Sequence, residues 1–288
     1  MQIGVTFPQT EIGADPKVVA EYARAAEDLG YEYLLAYDHV LGASTATRPE
    51  WKGPYTSDSM FHEPFVLFGY LACAAPRLGL VTGVIVLPQR QTALVAKQAA
   101  EVDVLCGGRL RLGVGVGWNA VEYEGLGQAF SDRGKRADEQ ISLMRRLFCA
   151  PAVSFTGDHH AISDAGINPL PVQRPIPIWI GGMSEAAMRR AGRMGDGWFP
   201  MGRLDDAMEA KLGRVRAIAA EAGRSPDAVG IDARIDARLV PEAEWAEEAA
   251  RWEAAGATHL AVSTMGQGLK GAEHIDAIAR FRDALAAR

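Results

Sequence analysis

The chain has 288 residues, of which 48% are hydrophobic and 23% charged, a balance that excludes a disordered or fibrous chain and leaves room for a sizeable core. Its net charge is −6 and its basic residues gather in no patch, which speaks against nucleic acid or an anionic membrane as partner. The start, Met1-Gln2-Ile3-Gly4-Val5-Thr6-Phe7, has no basic region ahead of an apolar stretch, and no run approaches the roughly 18 apolar residues of a membrane span.

In chain order, short apolar runs alternate with longer stretches of helical period, the pattern of βαβ units around a parallel sheet. The first strand is expected over 2–7 and its helix over 16–29, with Gly30 just past the end. A second strand over 31–37 is followed by a long polar and aromatic segment, 41–62, before a helix over 64–74. A connection of that length after a strand is usually functional. The third unit pairs a strand over 78–87 with a helix over 92–106, and the fourth a strand over 110–116 with helical character that is strong over 132–148. Residues 151–177 break the pattern and are expected to form an excursion with a small hairpin. Strands over 177–180, 196–200, 229–239 and 258–263, each with its helix, complete eight units. Eight βα pairs with no Ser-, Gly- or Pro-rich linker predict one (β/α)8 TIM barrel domain over 1–288, with an insertion between strands four and five and a long loop after strand two. Cys73, Cys106 and Cys149 form no Cys-x-x-Cys pair and are expected to be buried free thiols in a cytoplasmic protein.

In such a barrel the chemistry belongs where strands end. Gly113-Val114-Gly115-Val116-Gly117-Trp118-Asn119 is not a dinucleotide fingerprint, because Trp118 stands where the third glycine is needed. Its glycines suit either tight barrel packing or the approach of a flat ring. Trp179-Ile180-Gly181-Gly182-Met183-Ser184 leads from a strand into a helix with Ser184 as N-cap, and serves either as a phosphate seat or as an ordinary capped turn. Asp38-His39 closes strand two; the imidazole can exchange protons near neutrality and Asp38 can orient it or bind a ring edge. Trp51, Tyr55, Met60 and Phe61 in the following loop are candidate lid residues. His159-His160 has no acidic ligand cluster in view, and no metal is expected. No Gly-x-Ser-x-Gly elbow or strand-end cysteine supports a nucleophilic hydrolase.

Together, Thr82-Gly83-Val84-Ile85-Val86-Leu87-Pro88-Gln89-Arg90, Asp103-Val104-Leu105-Cys106-Gly107-Gly108-Arg109, Gly113 to Trp118, Pro171-x-Gln173-Arg174-Pro175 and Gly195-Asp196-Gly197-Trp198 resemble the luciferase-like monooxygenase superfamily. More narrowly they resemble its branch of oxidoreductases that depend on the deazaflavin coenzyme F420. The likeness spans roughly residues 1–200. It implies a flavin or deazaflavin at the C-terminal mouth of the barrel, with a non-prolyl cis peptide at Gly83-Val84 behind the ring. By position, Asp38 and His39 would face the ring. Gly115, Gly117, Trp118 and Asn119 would border it, and Gly181, Gly182, Met183 and Ser184 would hold the phosphate. Phe7, Trp51, Tyr55 and Trp198 are taken as the substrate side, and Arg90 or Arg203 as partners for the acidic tail of the cofactor or for an anionic substrate. The function implied is hydride transfer between F420 and a small organic substrate, with His39 as proton donor or acceptor, in a homodimer. The rival is an FMN-dependent monooxygenase using reduced flavin and O2. A non-catalytic flavin-binding protein, or a phosphate-binding barrel isomerase or lyase, stands behind both.

Overall fold

A computed structural model describes residues 1–287. Strand β1 (Gln2–Thr6) leads to helix α1 (Pro16–Asp28), and β2 (Tyr33–Ala36) through the long loop to α2 (Pro64–Ala74). The third barrel strand is split into β3 (Gly79–Thr82) and β4 (Ile85–Val86) by Gly83-Val84, whose peptide bond is cis. Helix α3 (Thr92–Leu105), β5 (Leu110–Gly115), the short α4 (Ala120–Gly125) and α5 (Arg133–Cys149) follow. The expected excursion is an antiparallel hairpin, β6 (Val153–Thr156) with β7 (Ala161–Ala165). The remaining units are β8 (Ile178–Gly181) with α6 (Glu185–Met194), β9 (Gly197–Phe199) with α7 (Asp206–Glu221), β10 (Gly230–Asp236) with α8 (Trp245–Ala254), and β11 (His259–Ser263) with α9 (Gly271–Ala286).

All barrel pairings are parallel, and β1 pairs with both β2 and β11 while β3 pairs with β5, so the sheet closes on itself. The result is the eight-stranded TIM barrel expected from the alternation of strands and helices. Both faces of each strand are covered, so the strands other than β10 are largely apolar. Their two-residue period sorts the side chains into two cores. Leu34 and Ala36 of β2 pack outward with the helices, whereas Tyr33 and Leu35 point into the barrel with Val81, Trp179, Phe199 and Ala261.

The barrel interior also holds an ion pair. Arg111 of β5 meets Asp232 of β10 at 2.8 Å, and its guanidinium lies 4.5 Å from the Tyr33 ring centre and 4.4 Å from that of Trp179. Room for these rings comes from neighbouring strands: a Cβ on Gly4 would stand 2.3 Å from Tyr33, and one on Gly197 would stand 2.2 Å from Trp179. Two expectations need correction. Cys106 is buried, but Cys73 and Cys149 are exposed, because each falls on the solvent side near the C-terminal end of its helix. No helix among the described residues is long and apolar enough to cross a membrane.

Candidate functional site

The strands open at their C-terminal ends on a cavity of about 580 Å³. Leu35, Val84, Phe199 and Ala261 give it an apolar floor, and Asp38, His39, Asp232 and Arg234 add polar and charged side chains to its lining. Tyr55 and Trp118 line its mouth.

His39 sits in an aromatic collar, with ring centres 5.0 Å from Tyr55, 4.8 Å from Phe61 and 5.8 Å from Trp118. Its Nδ1 faces Glu122 Oε2 at 3.4 Å. A carboxylate there accepts from Nδ1–H, which leaves Nε2 as the nitrogen free to exchange a proton. Glu122 was not singled out from the sequence. It stands in the first turn of α4, where Gln89 Nε2 donates to it at 3.0 Å, and the Val40 and Leu41 N–H groups also donate. Burial alone would push its carboxyl up, but the hydrogen bonds from His39, Gln89, Val40 and Leu41 hold it below the ordinary glutamate value. Its contribution to stability is therefore present above the ordinary glutamate value and is lost only as pH falls through the lower folded one.

Asp38 does not orient the imidazole. Its buried carboxylate accepts from Val86 N at 3.1 Å and from Arg90 Nε and Nη2 at 3.2 and 2.7 Å. Burial raises this carboxyl, with Arg90 and the Val86 N–H pulling it back. Arg90 also reaches Glu63 at 2.9 Å, so it is committed to two carboxylates and is not available to an acidic tail. Arg203 is half exposed and lies 3.5 Å from Glu244 at the rim.

The floor is shaped by missing side chains. A Cβ on Gly115 would come 2.6 Å from Val84 Cγ2, and one on Gly181 would come 2.8 Å from Val84 Cγ1. These two glycines let the Val84 side chain stand in the cavity floor with bare backbone on either side. Gly83, Gly117 and Gly182 also line the cavity. Beyond Gly182, Ser184 caps α6 by accepting from Ala187 N at 3.2 Å, and the other first-turn N–H groups have no acceptor within the helix. A shallow apolar shelf, a polar wall and a capped helix start suit a flat tricyclic ring carrying a phosphate.

Several expected contacts fall elsewhere. Phe7 and Trp198 are fully buried outside the cavity; Phe7 packs on Tyr22 and His62, and Trp198 Nε1 donates to Gly182 O at 2.8 Å. The correction for Trp198 is one of parity, since the next residue, Phe199, is the one that faces inward. Asn119 is the N-cap of α4, accepting from Val121 N at 3.1 Å and donating to Leu41 O at 3.3 Å, so its amide braces the mouth instead of reaching a ring. Met183 and Ser184 do not line the cavity; Ser184 is exposed at the start of α6, and Met183 Sδ accepts from Met201 N at 3.2 Å. Trp51 forms a second layer, 5.8 Å from Trp118.

Over residues 1–287 the chain matches the family described as luciferase-like monooxygenase. It is 36% identical over 227 residues to an uncharacterised protein of Mycobacterium tuberculosis, covering 76% of this chain and 77% of that one. It is 30% identical over 224 residues to an FMNH2-dependent dimethylsulfone monooxygenase of Pseudomonas putida, covering 76% of this chain and 58% of that one. Among solved structures, an F420-dependent secondary alcohol dehydrogenase in complex with an F420–acetone adduct superposes with a TM-score of 0.77 at 18% identity, covering 99% of this chain and 98% of that one.

Proposed function

The chain belongs to the luciferase-like monooxygenase family, and within it we propose an oxidoreductase that uses coenzyme F420 to transfer hydride to or from a small organic substrate. The observation that carries this reading is the His39–Glu122 pair, 3.4 Å apart, on a histidine that lines the cavity and whose Nε2 has no hydrogen-bond partner among the described residues. When bound, the deazaflavin supplies or accepts the hydride. Val84, Gly115 and Gly181 would hold the ring, and the start of α6 its phosphate. His39 Nε2 would give a proton to, or take one from, the substrate heteroatom as the hydride moves at carbon. Glu122, held charged, keeps the ring oriented and stabilises the imidazolium. Tyr55, Phe61 and Trp118 keep water from the imidazole.

A second reading, an FMN-dependent monooxygenase, is favoured by the 30% identity to the dimethylsulfone enzyme. The two separate in a fluorescence titration of the apo-protein with F420 and with FMN, each oxidised and reduced. F420 is expected to bind at least about tenfold tighter, a difference of about 1.4 kcal/mol. Tighter reduced FMN with oxygen consumption would move the protein to the monooxygenases. Gly115→Val and Gly181→Val test the shelf in the same titration. Each forces Val84 to shift, at about 1–3 kcal/mol of stability for an overpacked site, and each is expected to weaken cofactor binding about tenfold or more. Unchanged affinity in both would take the ring off Val84.

A further inference from the structure

Three charged residues, Asp232, Arg234 and Asp236, stand at alternate positions on β10 and so share its interior face. Each acid already has a cation. Asp232 meets Arg111 at 2.8 Å and accepts from the Tyr33 hydroxyl at 2.7 Å. Asp236 accepts from Arg238 Nε at 3.0 Å and Nη2 at 2.6 Å. Arg234, between them, has no carboxylate within 4 Å among the described residues. Its Nη1 donates to the Tyr37 hydroxyl, and its guanidinium carbon lies 5.7 Å from the Tyr37 ring centre.

A guanidinium has five N–H donors, and here one is used. Tyr37 raises the guanidinium above its ordinary value, burial opposes, and Asp236 two residues along the strand adds to the upward shift; an arginine side chain is charged at any working pH. A largely buried charge is normally paired, yet this one lines the cavity with four donors to spare. It shares that cavity with His39, three strands away around the barrel.

We propose that Arg234 is the anion subsite of the substrate pocket, and that the substrate is a small organic molecule carrying a carboxylate or sulfonate. The proposal rests on the reading of this cavity as the site of hydride transfer and deepens it. Tyr37 is the positioning residue, fixing the guanidinium fork so that two parallel N–H donors meet two oxygens of the anion.

The test is calorimetric titration of the apo-protein, and of the protein loaded with F420, with hexanoate, hexane-1-sulfonate and the neutral isostere hexanamide. Wild type is expected to bind one of the two anions about tenfold or more tighter than the amide, and which one identifies the acid group. Arg234→Met is expected to lose that preference and Arg234→Lys to keep part of it, with F420 affinity within about twofold of wild type in both. Equal binding of anion and amide, or a preference that survives in Arg234→Met, overturns the proposal. Joint loss of anion preference and F420 affinity also overturns it, by assigning Arg234 to the cofactor. If F420 fails to bind but the apo-protein keeps an Arg234-dependent preference, the cofactor reading fails and the anion subsite stands.

Discussion

His39→Ala is expected to lower kcat by about 10²- to 10⁴-fold, the usual worth of a positioned acid–base group, while the Kd for cofactor stays within about threefold of wild type. The split follows from the geometry. The imidazole lies at the cavity wall, ringed by Tyr55, Phe61 and Trp118, whereas the shelf assigned to the ring is made of Val84 and backbone. Removing the imidazole therefore removes the proton path and leaves the shelf intact. Glu122→Gln is the companion variant, because it keeps the shape and the acceptor for the Val40 and Leu41 N–H groups but sets an amide NH2 against Gln89 Nε2 and loses the charge that faces Nδ1 at 3.4 Å. Its kcat is expected to fall about tenfold with KM unchanged, as befits a residue acting through His39. Turnover is read from deazaflavin absorbance with carboxylate-bearing alcohols and carbonyl compounds. A His39→Ala enzyme within threefold of wild-type kcat would remove the histidine from proton transfer.

The barrel and the glycine-lined mouth could be read from the sequence because their signals are local. Strand runs, helix stops at glycine and the Gly113–Gly115–Gly117 spacing each lie within a few residues. The partners that make the site work are distant in sequence: Glu122 meets His39 across 83 residues, and Arg111 meets Asp232 across 121. Such pairs exist only once the barrel has closed. Glu122 was hidden by its context, since an acid three residues after Asn119 reads as an ordinary helix start. Arg234 did leave a trace. Charges at positions 232, 234 and 236 in an otherwise apolar strand mark one face as polar, and a barrel strand whose other face meets helices must turn that face inward. The same two-residue period explains why Phe199 and not Trp198 faces the cavity. A boundary read one residue off reverses every side chain beyond it.

Breaking the buried pair on the barrel floor is expected to be the costliest single change to stability. Arg111→Met leaves Asp232 with only the Tyr33 hydroxyl at 2.7 Å, and Asp232→Ala leaves a guanidinium faced by the Tyr33, Trp179 and Phe199 rings and no carboxylate. Each should lower unfolding free energy by about 3–5 kcal/mol, the cost of an uncompensated interior charge. Arg111→Met should also carry a pH signature. Burial raises the Asp232 carboxyl even with Arg111 present, and without the arginine it is raised further, so the folded protein holds the proton more tightly than the unfolded chain. The variant is then nearest to wild type below the ordinary carboxylate range and loses stability as pH rises through the raised value. A fully buried ion pair often fails to offset its own desolvation. The double variant Arg111→Met/Asp232→Leu, which removes both charges, is accordingly expected to recover most of the loss and to match or exceed wild type. Urea unfolding of the four proteins at two pH values measures this directly. Additive losses in the double variant would show that each residue stabilises the floor by packing alone and not through the other's charge.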